Sequence, residues 1–250
     1  MLARTEVILK TTVFVFLCEK VKLKMTLPTL NATLSADIAP AKPSRRIVEW
    51  PMRLFHTFMA VSFLGAYLTA ESERFRLLHV SLGYTLLGLV VFRLLWGVAG
   101  PRQSRLSAMW RKLQGIRELA GDVKDLPHSL LKLNAQTWRQ WASVVLSGAA
   151  LLTLMATVFS AVTGYAVYNE LTDDWMSEIH EFFGNFMLIL VLLHVVVVGL
   201  LVLFKKSQGL RPMWSGQKEG TGPDVAKSNH GLVGALLILA ILIFWVVQFF

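Results

Sequence analysis

Apolar residues come in five long runs divided by polar stretches, at about 51–70, 77–99, 141–166, 179–204 and 231–250. A helix rising about 1.5 Å per residue needs roughly 20 such residues to cross a hydrocarbon core about 30 Å thick. The runs have that length, so they predict an all-α integral membrane protein. The expected form is a four-helix transmembrane bundle followed by a fifth, C-terminal transmembrane helix, with lipid as its main surroundings.

Composition agrees, since 54% of the 250 residues are hydrophobic and only 16% are charged. The net charge of +9 is unevenly placed, and that unevenness predicts an orientation. Lys20, Lys22, Lys24, Lys42, Arg45 and Arg46 precede the first run, and the long second loop holds eight Lys and Arg between Arg102 and Arg139. Lys205, Lys206, Arg211 and Lys218 follow the fourth run, whereas the stretch from Tyr168 to Glu178 carries only acidic charge. Cytoplasmic loops of membrane proteins are enriched in Lys and Arg. The N-terminus and second loop are therefore expected inside, the acidic loop outside, in a bacterial cytoplasmic membrane. Trp50, Trp96, Trp141, Trp175 and Trp245 lie near the ends of the runs, where interfacial aromatics belong. A nucleic-acid partner is not expected, because the basic residues flank apolar spans instead of forming a stripe.

Three segments follow from this reading: an N-terminal extension over 1–45, a core over 46–220, and a linker with the last helix over 221–250. The extension is polar and proline-containing from Thr26 to Ser44, and the apolar stretch Val7–Cys18 is short and broken by Lys10. It makes a poor signal peptide, and Met25 is an alternative start. Cys18 is the only cysteine, which excludes an internal disulfide and a cysteine-ligated cluster. Iron in this chain would have to be held by histidine.

Four histidines lie within the apolar runs: His56 in the first, His79 in the second, His180 and His194 in the fourth. Fourteen residues separate His180 from His194, which places them about 21 Å apart on one helix face. With alternating helix directions, the level-matched pairs are His79 with His180 toward the outside and His56 with His194 toward the cytoplasm. Ionisable residues inside a span are costly unless they face a cavity or partner. Two stacked bis-histidine haems, four metal ligands in all, are the expected occupants; a zinc site would want four ligands at one point. Gly83 and Gly184 each follow a proposed outer ligand by four residues, where a missing side chain lets a flat macrocycle approach the backbone. Arg53, three residues before His56, and Arg93, fourteen after His79, are candidate partners for haem propionates. His128 and His230 are read as a solvated loop residue and a capping or interfacial residue.

The segments Arg53–His56 (RLFH), Leu77–Arg102 (LLHVSLGYTLLGLVVFRLLWGVAGPR), Ile179–Val195 (IHEFFGNFMLILVLLHV) and Met213–Lys218 (MWSGQK) resemble the bacterial cytochrome b561 family. Within it the likeness is to the b-type cytochrome subunit of Ni,Fe-hydrogenases, and it runs from about Ile47 to Gly220. The resemblance implies a four-helix core with two b-type haems (iron protoporphyrin IX), one near each membrane face, ligated by His56, His79, His180 and His194. The chain departs from the family pattern at Thr57, where Trp is usual, and at Val48-Glu49, where Trp-Asp is usual. Lys132-Leu133-Asn134 replaces a Gly-His-Asn stretch. None of these removes a ligand.

Transmembrane electron transfer in a respiratory chain is the expected function. The chain would link the quinone pool to a dehydrogenase, such as a hydrogenase-like subunit, or to a c-type cytochrome. Two alternatives remain at this point: a self-contained superoxide:quinone oxidoreductase, and a non-redox transporter or assembly factor with structural histidines.

Overall fold

The computed structural model describes residues 43–114, 135–205 and 211–249. Cys18, Met25 and nearly all of the 1–45 extension, together with His128, Lys132–Asn134 and Lys206, lie outside the described residues. From Ser44 onward the chain forms one compact unit. In order, its elements are β1 (Ser44–Arg46), α1 (Trp50–Thr69), α2 (Arg76–Ala99), α3 (Leu106–Gln114), α4 (Ala135–Tyr168), α5 (Trp175–Lys205), α6 (Arg211–Ser215), β2 (Gln217–Glu219) and α7 (Gly231–Phe249). A single 3-10 turn, Glu73–Phe75, leads into α2.

Among the described residues, four stretches are long and apolar enough to cross a membrane: Glu73–Ala99, Trp138–Tyr168, Trp175–Leu203 and Gly231–Phe249. The sequence pattern predicts five. The difference is α1, whose 20 residues suffice in length but carry Pro51, Arg53, His56 and Thr57 in the first two turns. Polar functional side chains have been placed in a helix that then loses part of its apolar signature. The short helices α3 and α6 have no apolar run to announce them.

Packing follows from small residues. On α4, Ala142, Ala149, Ala156 and Thr163 recur every seven positions and all are buried. A small-residue seam of this kind allows close helix approach where burial of apolar surface offers no gain over lipid. Helix α5 makes its most extensive contact along α4, α1 pairs with α2, and α7 lies against α1 and α2. The interior has two levels. One gathers Phe63, Ala66, Leu82, Leu86, Ala156 and Met187, and the other Phe55, Leu89, Val90, Leu154 and Leu237. Outside, Leu192, Val195 and Leu203 of α5 and Leu236, Leu239 and Val247 of α7 are exposed, as lipid-facing residues would be. Hydroxyls within the spans are satisfied locally: Ser81, Thr85, Thr153 and Thr157 each donate to the carbonyl four residues back.

One end of the bundle is closed by a polar clamp. Strands β1 and β2 pair antiparallel, Ser44 opposite Glu219 and Arg46 opposite Gln217. The Arg46 carbonyl accepts from the N–H groups of Val225 and Ala226, and the Arg46 N–H donates to Asp224 at 2.6 Å. The Trp50 N–H donates to Asn229 Oδ1 at 3.2 Å, which helps to satisfy the open start of α1. Residues 221–230 are thus built onto the entry to α1. Just beyond, Gly234 of α7 faces the Trp50 ring so closely that any Cβ would overlap it. Replacing Gly234 with Leu should push α7 off α1 at an overpacking cost of about 1–3 kcal/mol. Lower thermal stability in detergent and faster proteolysis around residues 220–230 are the expected outcomes.

Candidate functional site

Helix α5 carries His180 near its start and His194 about two-thirds of the way along. Helix α2 brings His79 opposite the first, and α1 brings His56 opposite the second. The rings of His79 and His180 have centroids 6.0 Å apart, and those of His56 and His194 are 6.1 Å apart. Along α5 the two pairs are separated by about 21 Å. The four ring-bearing residues singled out from sequence are therefore brought together two by two, at two levels of the bundle.

The spacing within each pair has a chemical meaning. Imidazole nitrogens bind metal ions at about 2 Å, so two rings on opposite sides of one metal atom have centroids roughly 6–6.5 Å apart. Edge-to-face ring pairs share that range of distance, so the orientation of the ring nitrogens adds what the spacing alone does not decide. Among the described residues, no three His, Cys, Asp or Glu side chains converge as a metal cluster, so a tetrahedral all-protein site has no candidate.

At the His79 pair the ring orientation is fixed. His79 Nδ1 lies 2.8 Å from the Ala66 carbonyl, and His180 Nδ1 lies 2.8 Å from the Ser160 carbonyl. A carbonyl can only accept, so both Nδ1 atoms carry the hydrogen and both Nε2 atoms are left with a free lone pair. A ligating histidine whose other nitrogen donates to a backbone carbonyl has this arrangement, which holds the tautomer and raises ligand basicity. The carbonyls come from two different helices, α1 and α4, so four helices meet at this pair.

A cavity of about 850 Å³ opens around the same pair. It is lined by Gly83 and Gly184 as well as Tyr67, Tyr84, Tyr165 and Asn185. A Cβ built at Gly83 or Gly184 would meet no atom within 4 Å, so each glycine leaves open space beside a ring. Gly164 of α4 does the opposite. A Cβ there would lie 2.7 Å from His180 Cε1 and 3.0 Å from Nδ1. Only a residue without a side chain lets His180 reach the Ser160 carbonyl.

Sequence reasoning passed over Gly164. Its only signal was an isolated glycine late in an apolar helix, which helix packing explains equally well. The acceptors Ala66 and Ser160 act through backbone atoms and leave no side-chain signature at all.

The two arginines are held by main-chain oxygens. Arg53 Nε donates to the Met213 carbonyl at 3.2 Å and Nη2 donates to the Trp214 carbonyl, tying α1 to α6. Arg93 is buried; its Nη1 donates to the Ser104 carbonyl at 2.8 Å and its Nη2 lies 3.2 Å from Met109 Sδ. Among the described residues neither arginine has a carboxylate in its hydrogen bonds, so both bring an un-neutralised positive charge to the end of the bundle that holds His56 and His194. Thr57, next to His56, donates back to the Arg53 carbonyl at 3.0 Å. His230 stands just before α7 with a left-handed φ of 45° and meets the edge of Trp96, ring centroids 5.2 Å apart.

The family model for prokaryotic cytochrome b561 matches residues 47–216, from the entry of α1 to the turn after α6. This chain belongs to the prokaryotic cytochrome b561 family. Cytochromes of this family are membrane proteins that bind b-type haem and transfer electrons, which fits a helical bundle with paired imidazoles in its interior. No curated protein and no solved structure matches the chain.

The paired rings, the committed Nδ1 atoms and the open glycine faces all suit a flat, six-coordinate metal macrocycle. Substituting Gly164 with Ala should displace the His180 ring and weaken its bond to Ser160. The expected result is a shifted potential and an altered α-band in a redox titration of the bound b-type haem.

Proposed function

We propose that this cytochrome b561 is a dihaem electron-transfer subunit of the bacterial cytoplasmic membrane, linking the quinone pool to a dehydrogenase or c-type cytochrome. The observation that carries this reading is the pair of imidazole pairs, each spaced for one metal atom, at two levels of one bundle. His79 and His180 would hold one haem, and His56 and His194 the other. Gly83 and Gly184 would let the first lie against α2 and α5.

Bound haem supplies one-electron chemistry between ferric and ferrous iron, with a potential set by axial ligands, burial and nearby charge. The residues set those terms. With two imidazoles holding each iron, no position would be left for a substrate, so the bundle would work as a conductor and chemistry on a substrate would belong to a partner. The carbonyls of Ala66 and Ser160 hold the outer ligands in one tautomer. Arg93 and Arg53 bring positive charge to the inner pair and offer partners for its propionates. Buried apolar residues between the two levels, Leu86, Leu89 and Val90 among them, keep water out of the interval.

Charge supports the orientation. Arg45, Arg46, Arg53, Arg102, Arg105, Arg111 and Lys218 gather at the end with His56, while Glu170, Asp173, Asp174 and Glu178 lie at the other. The basic end is cytoplasmic by the positive-inside rule. With α1 counted as a span despite its polar first turns, the chain crosses five times: α1, α2, α4 and α5 form the haem-bearing bundle, and α7 ends outside.

Purified protein should contain two low-spin b haems per chain by pyridine-haemochrome assay. A folded protein with no haem would remove the reading, and one haem would mean that a pair is misassigned. His180→Ala and His194→Ala should each eliminate a different component in a redox titration. If both variants lost the same component, the level assignment would be wrong. A quinol analogue should reduce both haems in proteoliposomes; reduction only by an external soluble donor would exclude the quinone link.

Arg93→Leu should lower the potential of the His56/His194 haem, because removing a fixed positive charge makes the added electron less favourable there. A shift of up to about 59 mV corresponds to a tenfold change in a one-electron equilibrium. Equal shifts in both haems would contradict the placement of Arg93 near the inner one.

A further inference from the structure

Glu49, immediately before α1, is 1% exposed. Its Oε1 accepts from Gln103 Nε2 at 2.6 Å and from Ser104 Oγ at 3.4 Å. Its Oε2 is buried with no hydrogen-bond partner. A buried carboxylate left half-satisfied is costly while ionised and much less so once that oxygen carries a proton. Burial pushes the Glu49 carboxyl above the ordinary glutamate range, against smaller opposing effects of His230, of hydrogen bonding from Gln103 and Ser104, and of the nearby Trp96 indole.

The surroundings do not lock the charge in place. Arg93 of α2 shares Ser104 with Glu49 as a neighbour, yet it donates to the Ser104 carbonyl and Met109, not to Glu49. From the same helix, Trp96 presents an indole N–H that is buried and has no partner of hydrogen-bond geometry. The loop after α2 contributes the neutral Gln103 and Ser104. At the start of α7 stands His230, and a turn further along α1 stands Arg53, already engaged by the carbonyls of Met213 and Trp214.

Seven residues separate Glu49 from His56, so the two lie about 10 Å apart toward the same face of α1. One unit of charge at that distance, at an effective dielectric constant of about 20, changes a proton affinity roughly tenfold. We propose that Glu49 takes up a proton from the cytoplasmic side when the haem held by His56 and His194 is reduced, and releases it when that haem is reoxidised. The proposal rests on the assignment of His56 and His194 as haem ligands. The electron comes from a quinol-class donor, which gives two electrons in two successive one-electron steps, releases its two protons to solvent and becomes quinone, while each step reduces one iron. The proton comes from water, bonds to Oε2 and offsets the added negative charge, and no bond within the macrocycle is made or broken.

The test is a redox titration of both haems in the purified holoprotein between about pH 5.5 and 9, in wild type, Glu49→Gln and His230→Gln. The same optical spectra report haem content, so loss of the ligand assignment appears as a missing component and is distinct from failure of the proton linkage. In wild type the inner potential should fall as pH rises, since ionised Glu49 disfavours the added electron. The limit is a tenfold change in the one-electron equilibrium per pH unit, about 59 mV. Glu49→Gln should flatten that slope and leave the outer haem unaltered, while His230→Gln retains most of it. An unchanged slope in Glu49→Gln, a flat wild type, or loss of slope in His230→Gln alone would overturn the proposal. If Glu49→Gln does not assemble, reduced-minus-oxidised infrared spectra of wild type and Glu49→Asp decide. A protonated-carboxyl band that appears on reduction and moves in Glu49→Asp supports the linkage, and no such band refutes it.

Discussion

The gap between two facing imidazoles governs this structure. Rings about 6 Å apart leave room for one atom between them, so each pair is a demand on two helices at once. Helix α5 answers both demands. It must present one ring to α2 and another, about 21 Å along, to α1, which it can do only if it stays straight and in register over most of its 31 residues. Its partner α4 enforces this with a seam of Ala and Thr every seventh residue. The site and the packing are one problem, solved by the spacing of small residues on one helix and of histidines on the next.

Much of this was readable from sequence, and the reason is periodicity. The apolar runs mark the long helices to within a few residues, except at the starts of α4 and α5, which begin at Ala135 and Trp175, ahead of the runs at 141 and 179, because polar residues continue a helix beyond the apolar stretch. Fourteen residues between His180 and His194 is a whole number of near-turns, so a shared face follows from counting. The same arithmetic brings Glu49 toward the side of His56, although its burial cannot be counted out. What periodicity cannot encode is the acceptor for each Nδ1, because Ala66 and Ser160 contribute carbonyl oxygens that every residue has. Gly164 was hidden for a related reason: its role is the absence of atoms, and an absent side chain looks alike whether it admits a helix or a ring. The polar clamp of 44–50 with 216–229 was hidden too, since its two halves lie more than 160 residues apart and meet mainly through backbone hydrogen bonds.

The two ends of the bundle are finished differently. At the His79 end the imidazoles are anchored by backbone carbonyls and surrounded by open volume and tyrosines. At the His56 end the surroundings are a tight polar assembly of Arg53, Arg93, Glu49, Gln103 and the β1–β2 ribbon. If both pairs hold haem, the ligands are the same at each level and the unequal surroundings would give the two haems unequal potentials.

Because α5 provides one ring to each pair, neither pair exists in a growing chain until that helix has been made. A nascent chain ending before His180 carries two unpaired imidazoles on adjacent helices. One ending between His180 and His194 can complete a single pair. Synthesis of the first 194 residues must therefore precede completion of the second, and the β1–β2 ribbon, whose later strand begins at Gln217, can close over the entrance of α1 only after the residues of both pairs have been made. The order of the chain thus becomes an order of synthesis: paired rings first, cover afterwards.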